Sequence, residues 1–427
     1  MERRIGAAPD RRDNARMSTS EKTGTGSLRR TLSLPWLVFY GVGVTIGAGI
    51  FALIGEVLAL AGDQAPLAFL LAGLIAGVTG VSYASLIRRF PKAGGEAVFV
   101  NRGVGSAFAR FAGYGVVATG TISSAVISIS FAGYIREFVD LPEFLLVGLV
   151  ICGLSVVAWY GVRESVVFAA AVTLIELGTL LVVIAFGAPL LTDLPEVART
   201  LSPVLNIAVL SGILSSSVLA FFAFIGFEDM INMCEETVAP ERTVPRAIFW
   251  TLGITLFVYA LLAIIAALAE GREAIVASPA PMARVFEAVS GLSGKPVAAA
   301  ASIAMVNGIL VQIVMASRVL YGMGNEGLAP RWFSNVDPGR QTPARATVFV
   351  AAMVLLLALF FPLVQLASAT SLVTLGVFAL VNLALFRLGT RERSGNLHQR
   401  RWWGLAGVLL CLSIAGFQLL IGVTGGH

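Results

Sequence analysis

Charge is the scarcest property of this sequence. Asp, Glu, Lys and Arg make up 13% of its 427 residues, where a soluble globular domain carries about 25%. So little charge cannot wrap a chain that is 57% hydrophobic and has a mean hydropathy of +0.86. A soluble enzyme, a disordered hub and a nucleic-acid-binding domain are excluded as the main reading, and lipid must solvate the exterior. Histidine is nearly missing: His398 and His427 are too few for a histidine metal site. Cys152, Cys234 and Cys411 lie too far apart to suggest a disulfide framework or a metal cluster. The sequence has neither the Gly-x4-Gly-Lys-Ser/Thr loop of an ATP-driven pump nor a His-Glu-x-x-His zinc motif, so ATP hydrolysis and zinc chemistry have no support. No cofactor is expected.

What is present is apolar length. Crossing a bilayer core takes about 20 apolar helical residues. Eleven runs qualify, at 35–60, 66–87, 111–135, 143–160, 165–190, 204–233, 246–269, 297–323, 345–361, 364–387 and 402–424. Strict period-2 alternation is absent, which argues against a β-barrel. The first run is too long for a cleaved signal and follows a polar, basic stretch. With the amino terminus placed in the cytoplasm, 25 of the 30 Lys and Arg fall on the cytoplasmic side, a strong positive-inside asymmetry. The expected layout is a disordered basic cytoplasmic tail over 1–32, a ten-helix core over 33–390, and a cytoplasmic linker with an eleventh span over 391–427.

Two runs are poor continuous helices. The first reads Gly41-Val-Gly-Val-Thr-Ile-Gly-Ala-Gly-Ile-Phe51, and each glycine costs about 1 kcal/mol against alanine inside a helix. Unwound backbone at mid-membrane is tolerated where it lines a protein cavity. It leaves N–H groups at the start of the second half-helix, suited to a carboxylate. The sixth run reads Phe221-Phe-Ala-Phe-Ile-Gly-Phe-Glu-Asp229. Unwinding at Gly226 leaves carbonyls at the end of the first half-helix, suited to an ammonium. Donors on one wall and acceptors on the other match a zwitterion. The two runs open two five-run sets, the arrangement that marks a transporter site. The competing reading gives these glycines to close helix packing.

These segments carry a resemblance. Thr45-Ile-Gly-Ala-Gly-Ile-Phe51 resembles the first-helix signature of the amino acid–polyamine–organocation (APC) transporters, with Ala48 where Thr or Ser is usual. Phe221 to Glu228, Glu235-Glu236 and Pro240-Glu-Arg-Thr-Val-Pro-Arg-Ala-Ile248 resemble that family's sixth helix and following loop. Pro91-Lys-Ala-Gly-Gly-Glu96 resembles the loop before its third helix, and Ala316 to Met323 with Gly327-Leu-Ala-Pro330 the end of its eighth. The resemblance is nearest to bacterial relatives of the cationic amino acid transporters. It implies an all-α LeuT-like fold of two inverted five-helix repeats with helices 1 and 6 broken, alternating access, and secondary transport of amino acids or related amines. On this resemblance Thr45, Ile46, Gly47, Ala48 and Gly49 surround the substrate carboxylate. Phe222, Ala223 and Ile225 offer carbonyls to the ammonium, and Phe227 is a gate.

Departures from the family pattern sharpen the expectation. The third run, Val116-Val-Ala-Thr-Gly-Thr-Ile-Ser-Ser-Ala125, lacks the acid often present in relatives that take cationic substrates. An unpaired buried charge is costly, which favours a neutral amino acid. The fifth run places Glu176 where sodium-independent relatives often carry Lys. An acid at membrane depth is a functional candidate, here for carrying a coupled proton. The alternative is a neutral Glu hydrogen-bonded to neighbouring backbone. Ser123, Ser124 and Asn307 are candidates for the side-chain pocket, although the two serines could equally bond their own helix. Gln312 suits interhelical contact, and Glu228 and Asp229 suit pairing with Arg, local capping or a part in the gate, the first two being favoured. The expected partners are a small amino acid, a proton and the lipid of a cell membrane, with no metal and no obligate protein partner. An amino acid or polyamine exchanger, and a non-transporting sensor on the same scaffold, remain alternatives.

Overall fold

The computed structural model describes residues 30–91, 95–161, 166–202, 206–337, 339–392 and 394–424. The basic tail up to residue 29, residues 92–94 of the loop before the third run, and His427 lie outside the described residues. The described chain is helical: α1 (Leu34–Ala61), α2 (Ala65–Arg89), α3 (Gly95–Gly103), α4 (Ser106–Ile135), α5 (Glu143–Tyr160), α6 (Val166–Gly187), α7 (Leu194–Leu201), α8 (Ile207–Phe222), α9 (Pro240–Leu268), α10 (Arg272–Val276), α11 (Pro281–Ser290), α12 (Lys295–Asn325), α13 (Ala344–Phe360), α14 (Leu363–Arg391) and α15 (Asn396–Thr424).

Nine stretches among the described residues are long and apolar enough to cross a membrane. One of them, Leu34–Arg89, holds both α1 and α2, and the apolar α13 is shorter than the others. Each of the eleven apolar runs therefore contains a helix among the described residues. Several helices outrun their apolar segment. The helix of the seventh run starts at Pro240 rather than 246 because proline suits a first helical turn, where an N–H has no partner anyway. The short helices α3, α7, α10 and α11 connect spans and have too few apolar residues to register as runs.

Two packing groups place the site. The broken-run helices α1 and α8 pack on each other, α1 packs on α9, and α2 packs on both α8 and α9, while α4, α5, α12 and α13 pack among themselves. The first half of α1 meets α6 and α9, so the glycine-rich segment lies inside protein rather than against lipid. Tyr134 of α4 ties the second half of α1 to the connection between α9 and α12. Its hydroxyl donates to the Phe51 carbonyl at 2.8 Å and accepts from the Met282 N–H at 3.1 Å. At the same end, Asp63 pairs with Arg199 at 3.2 Å and also with Arg272. The last span, α15, packs on α14, α2 and α8. Buried Asn382 of α14 accepts from Ser82 at 2.5 Å and donates to Thr79 at 3.0 Å, which locks α14 to α2.

Both expected breaks are visible in the backbone. The interior of α1 leaves helical geometry at Gly47, with φ 3° and ψ −149°. The sixth run stops being α-helical after Phe222, turns through residues 223–226, and continues as a 3-10 helix over Phe227–Met233. Gly226 carries two demands. Its φ of 122° is a left-handed conformation, and a Cβ there would sit 2.8 Å from the Val44 carbonyl oxygen. Gly226→Ala is therefore expected to lower stability by about 1–3 kcal/mol, read as a lower melting temperature of the detergent-purified protein.

Candidate functional site

A cavity of about 510 Å³ lies between the two packing groups, within the ~300–1,000 Å³ of small-molecule sites. Its inner end is walled by Gly47, Ala48 and Gly49 of α1, Phe222 and Ile225 at the break after α8, and Ser123 and Ile127 of α4. Thr173 and Glu176 of α6 and Asn307, Gly308 and Gln312 of α12 complete that end. From there the cavity follows the first half of α1 past Tyr40 and Trp36 to Leu32, Met233 and Glu236.

The break in α1 places N–H groups at the start of its second half, where helix geometry leaves the first four without intrahelical acceptors. The facing wall comes very close. A Cβ on Gly49 would lie 2.7 Å from the Ala223 Cα, so only glycine lets the two breaks approach this closely. On the α8 side, the Phe222 carbonyl accepts from the Ile225 N–H at 3.2 Å, and the Ala223 carbonyl lies 3.0 Å from the Tyr259 hydroxyl. A carbonyl oxygen has two lone pairs, so each keeps capacity for one more donor. Glu228 caps the break by accepting from the Gly226 N–H at 2.9 Å.

The structure sorts the residues singled out in the sequence. Thr45, Gly47, Ala48, Gly49, Phe222, Ile225, Ser123, Asn307 and Glu176 line the cavity. Ile46, Ala223, Ser124 and Phe227 do not. Ser124 donates to the Gly120 carbonyl of its own helix at 2.8 Å. Phe227 is fully buried in an aromatic cluster, its ring 5.6 Å from Tyr83 and 5.5 Å from Phe378. To act as a gate it would have to leave that cluster. Glu176 is 2% exposed, and among the described residues its carboxyl has no hydrogen-bond or ion-pair partner.

Sequence reasoning missed several wall residues. Thr173 sits one turn before Glu176 on α6, and its side chain leaves so little room that a Cβ on Gly43 would lie 2.0 Å from Thr173 Oγ1. The spacing of Thr173 and Glu176 was the available signal. Gln312 reaches both this cavity and a neighbouring one of about 100 Å³ that holds Glu96, Glu228 and Asp229. Burial pushes the Glu96 carboxyl up from its ordinary range, and the Tyr83 hydroxyl donates to it at 3.0 Å.

Comparison with known proteins identifies the family. The family model described as amino acid permease matches residues 31–427. An uncharacterized transporter of Mycobacterium tuberculosis is 30% identical over 406 residues, covering 93% of this chain and 88% of the relative. A branched-chain amino acid permease of Bacillus subtilis is 26% identical, covering 87% of this chain and 83% of its own. A vacuolar cationic amino acid transporter of Arabidopsis thaliana is 28% identical, covering 86% of this chain and 64% of its own. With a match over nearly its whole length and a helical membrane fold broken at two glycine-containing segments, the chain belongs to the amino acid permease family of the APC superfamily.

Proposed function

We propose that this amino acid permease is a proton-coupled transporter of neutral amino acids in the cell membrane, with its amino terminus in the cytoplasm. The substrate carboxylate meets the N–H groups after Gly47, the ammonium meets carbonyls at the break after α8, and the side chain points between α4 and α12. Helices α1 to α14 supply the ten-span core as two inverted five-span repeats, and α15 is an addition to it. With the amino terminus inside, a cavity that runs to Leu32 and Glu236 opens towards the cytoplasm.

The observation that carries the coupling is Glu176, an unpartnered carboxyl almost fully buried in the cavity wall. A buried carboxylate without a partner is costly, so binding and releasing a proton is the cheapest way for such a group to follow the state of the cavity. The same observation favours a second reading, in which Glu176 pairs with the side chain of a cationic substrate. That reading accords with the cationic amino acid transporters among the relatives.

A thermal-shift screen of the purified protein against the twenty amino acids and common polyamines, at pH 5.5 and 7.5, tests the proposal. A ligand at one hundred times its dissociation constant stabilises by about 2.7 kcal/mol. Stabilisation by a few neutral amino acids, changing with pH, is the expected result. Stabilisation confined to lysine, arginine or polyamines would favour the second reading. Absence of counterflow exchange in liposomes, despite binding, would indicate a sensor.

A further inference from the structure

Both broken helices meet at the hydroxyl of a residue outside the substrate cavity. Tyr259 of α9 is fully buried, and its oxygen lies 3.2 Å from the carbonyl oxygen of Thr45, 3.1 Å from that of Ile46 and 3.0 Å from that of Ala223. Two of these acceptors end the first half of α1, and the third belongs to the break after α8. A phenol carries one proton for these three acceptors. All three distances exceed the ~2.7–2.8 Å of a well-made O–H···O bond, as suits a proton shared among acceptors rather than committed to one. The ring itself is held, edge-on to Phe69 of α2 at 5.8 Å and to Phe224 at 5.2 Å. The oxygen is fixed and the direction of its proton is free.

Carbonyls at a helix break have lost their intrahelical donors and must find others at membrane depth. Moving either half-helix changes which carbonyl needs one. A donor standing between α1 and α8 can serve either without being replaced by water. Among the described residues, the hydroxyls of Thr45 and of Thr255, one turn before Tyr259 on α9, are buried without a partner in this arrangement. Polar groups left unpaired in one arrangement are accounted for if another pairs them.

We infer that Tyr259 is a positioning residue for transport: its hydroxyl joins the breaks of α1 and α8 and passes its hydrogen bond between them as the cavity changes the side to which it opens. The inference rests on the alternating-access reading above. Tyr259→Phe removes one oxygen and keeps the ring packing. In liposomes, the saturating rate of amino acid counterflow is expected to fall at least about 10-fold, with the half-saturating concentration within about threefold of wild type. A merely structural role would lower the melting temperature and leave the saturating rate per folded molecule unchanged.

A second readout needs no substrate. In protein whose native cysteines are replaced by serine, A304C places a thiol at the cavity wall, and its alkylation by a soluble maleimide reports cavity opening. Tyr259→Phe is expected to change that rate at least about threefold. Unchanged counterflow and unchanged alkylation overturn the inference. So does a half-saturating concentration raised more than about tenfold at an intact saturating rate, which would make Tyr259 a binding residue. If the wild type shows no counterflow, the transport reading fails, and alkylation alone decides the joint by the same threefold criterion. Should Tyr259→Phe fail to fold, 3,5-difluorotyrosine at position 259 keeps the hydroxyl and makes it a stronger donor. A change of at least about twofold in either rate then supports the joint, and no change overturns it.

Discussion

Gly49→Leu is expected to weaken substrate binding by at least about 100-fold, which is about 2.7 kcal/mol, while the protein still inserts and purifies as the wild type does. The reason is local. A Cβ at this position would fall 2.7 Å from the Ala223 Cα and 3.2 Å from its Cβ. Backbone cannot move aside as a flexible side chain does, so the breaks of α1 and α8 must separate. The proposed site consists of backbone groups on those two breaks, and displacement by about 1 Å is enough to cost two orders of magnitude where geometry does the work. Insertion depends on apolar length, which leucine preserves. Gly77→Leu on α2 serves as the control, because a Cβ there meets nothing within 4 Å, and it should bind normally. Titration of both variants by thermal shift with the best ligand from the screen checks the prediction. Wild-type affinity in Gly49→Leu would remove the broken-helix segment from the binding site.

The same glycine shows what can be read from sequence and what cannot. Four glycines between Gly41 and Gly49 signal a break, because each costs helix stability, although close helix packing also uses glycine. They do not say which glycine yields. In the structure Gly47 leaves helical geometry while Gly49 provides the close approach. The sixth run was legible for the same reason, through Gly226 and the acids behind it. Phe227 was not, because an aromatic beside a break looks the same from sequence whether it faces the substrate or packs against Tyr83 and Phe378. Tyr259 was invisible. It lies within a helix that runs unbroken from Pro240 to Leu268, and its importance comes entirely from carbonyls more than thirty residues away. Spans follow from composition, and breaks follow from local chemistry. Which carbonyl keeps a free lone pair depends on tertiary contacts that no local pattern encodes.

Glu176→Gln carries the second large effect. Under the proton-coupled reading, wild-type uptake into liposomes rises as the outside is made more acidic than the inside. Protonated Glu176 crosses the cycle with the substrate, and its proton is then lost to the less acidic interior. Glutamine keeps the shape and remains neutral in every state, so it resembles the protonated carboxyl permanently. Accumulation driven by the proton gradient should therefore fall at least about 10-fold, while exchange of substrate for substrate, which needs no proton release, continues. The contrast works because Glu176 has no ion-pair partner among the described residues, so removing its charge strands no cation. If Glu176 instead pairs with a cationic substrate, the pattern differs: Glu176→Gln loses lysine or arginine binding and keeps whatever neutral binding exists. Equal gradient dependence in wild type and Glu176→Gln would rule out this residue as the proton carrier. Attention would then pass to the carboxyls of Glu96, Glu228 and Asp229 around the neighbouring cavity. Those three acids also adjoin Ile225 and Gln312, which line both cavities, so a proton held there would still act on the same break.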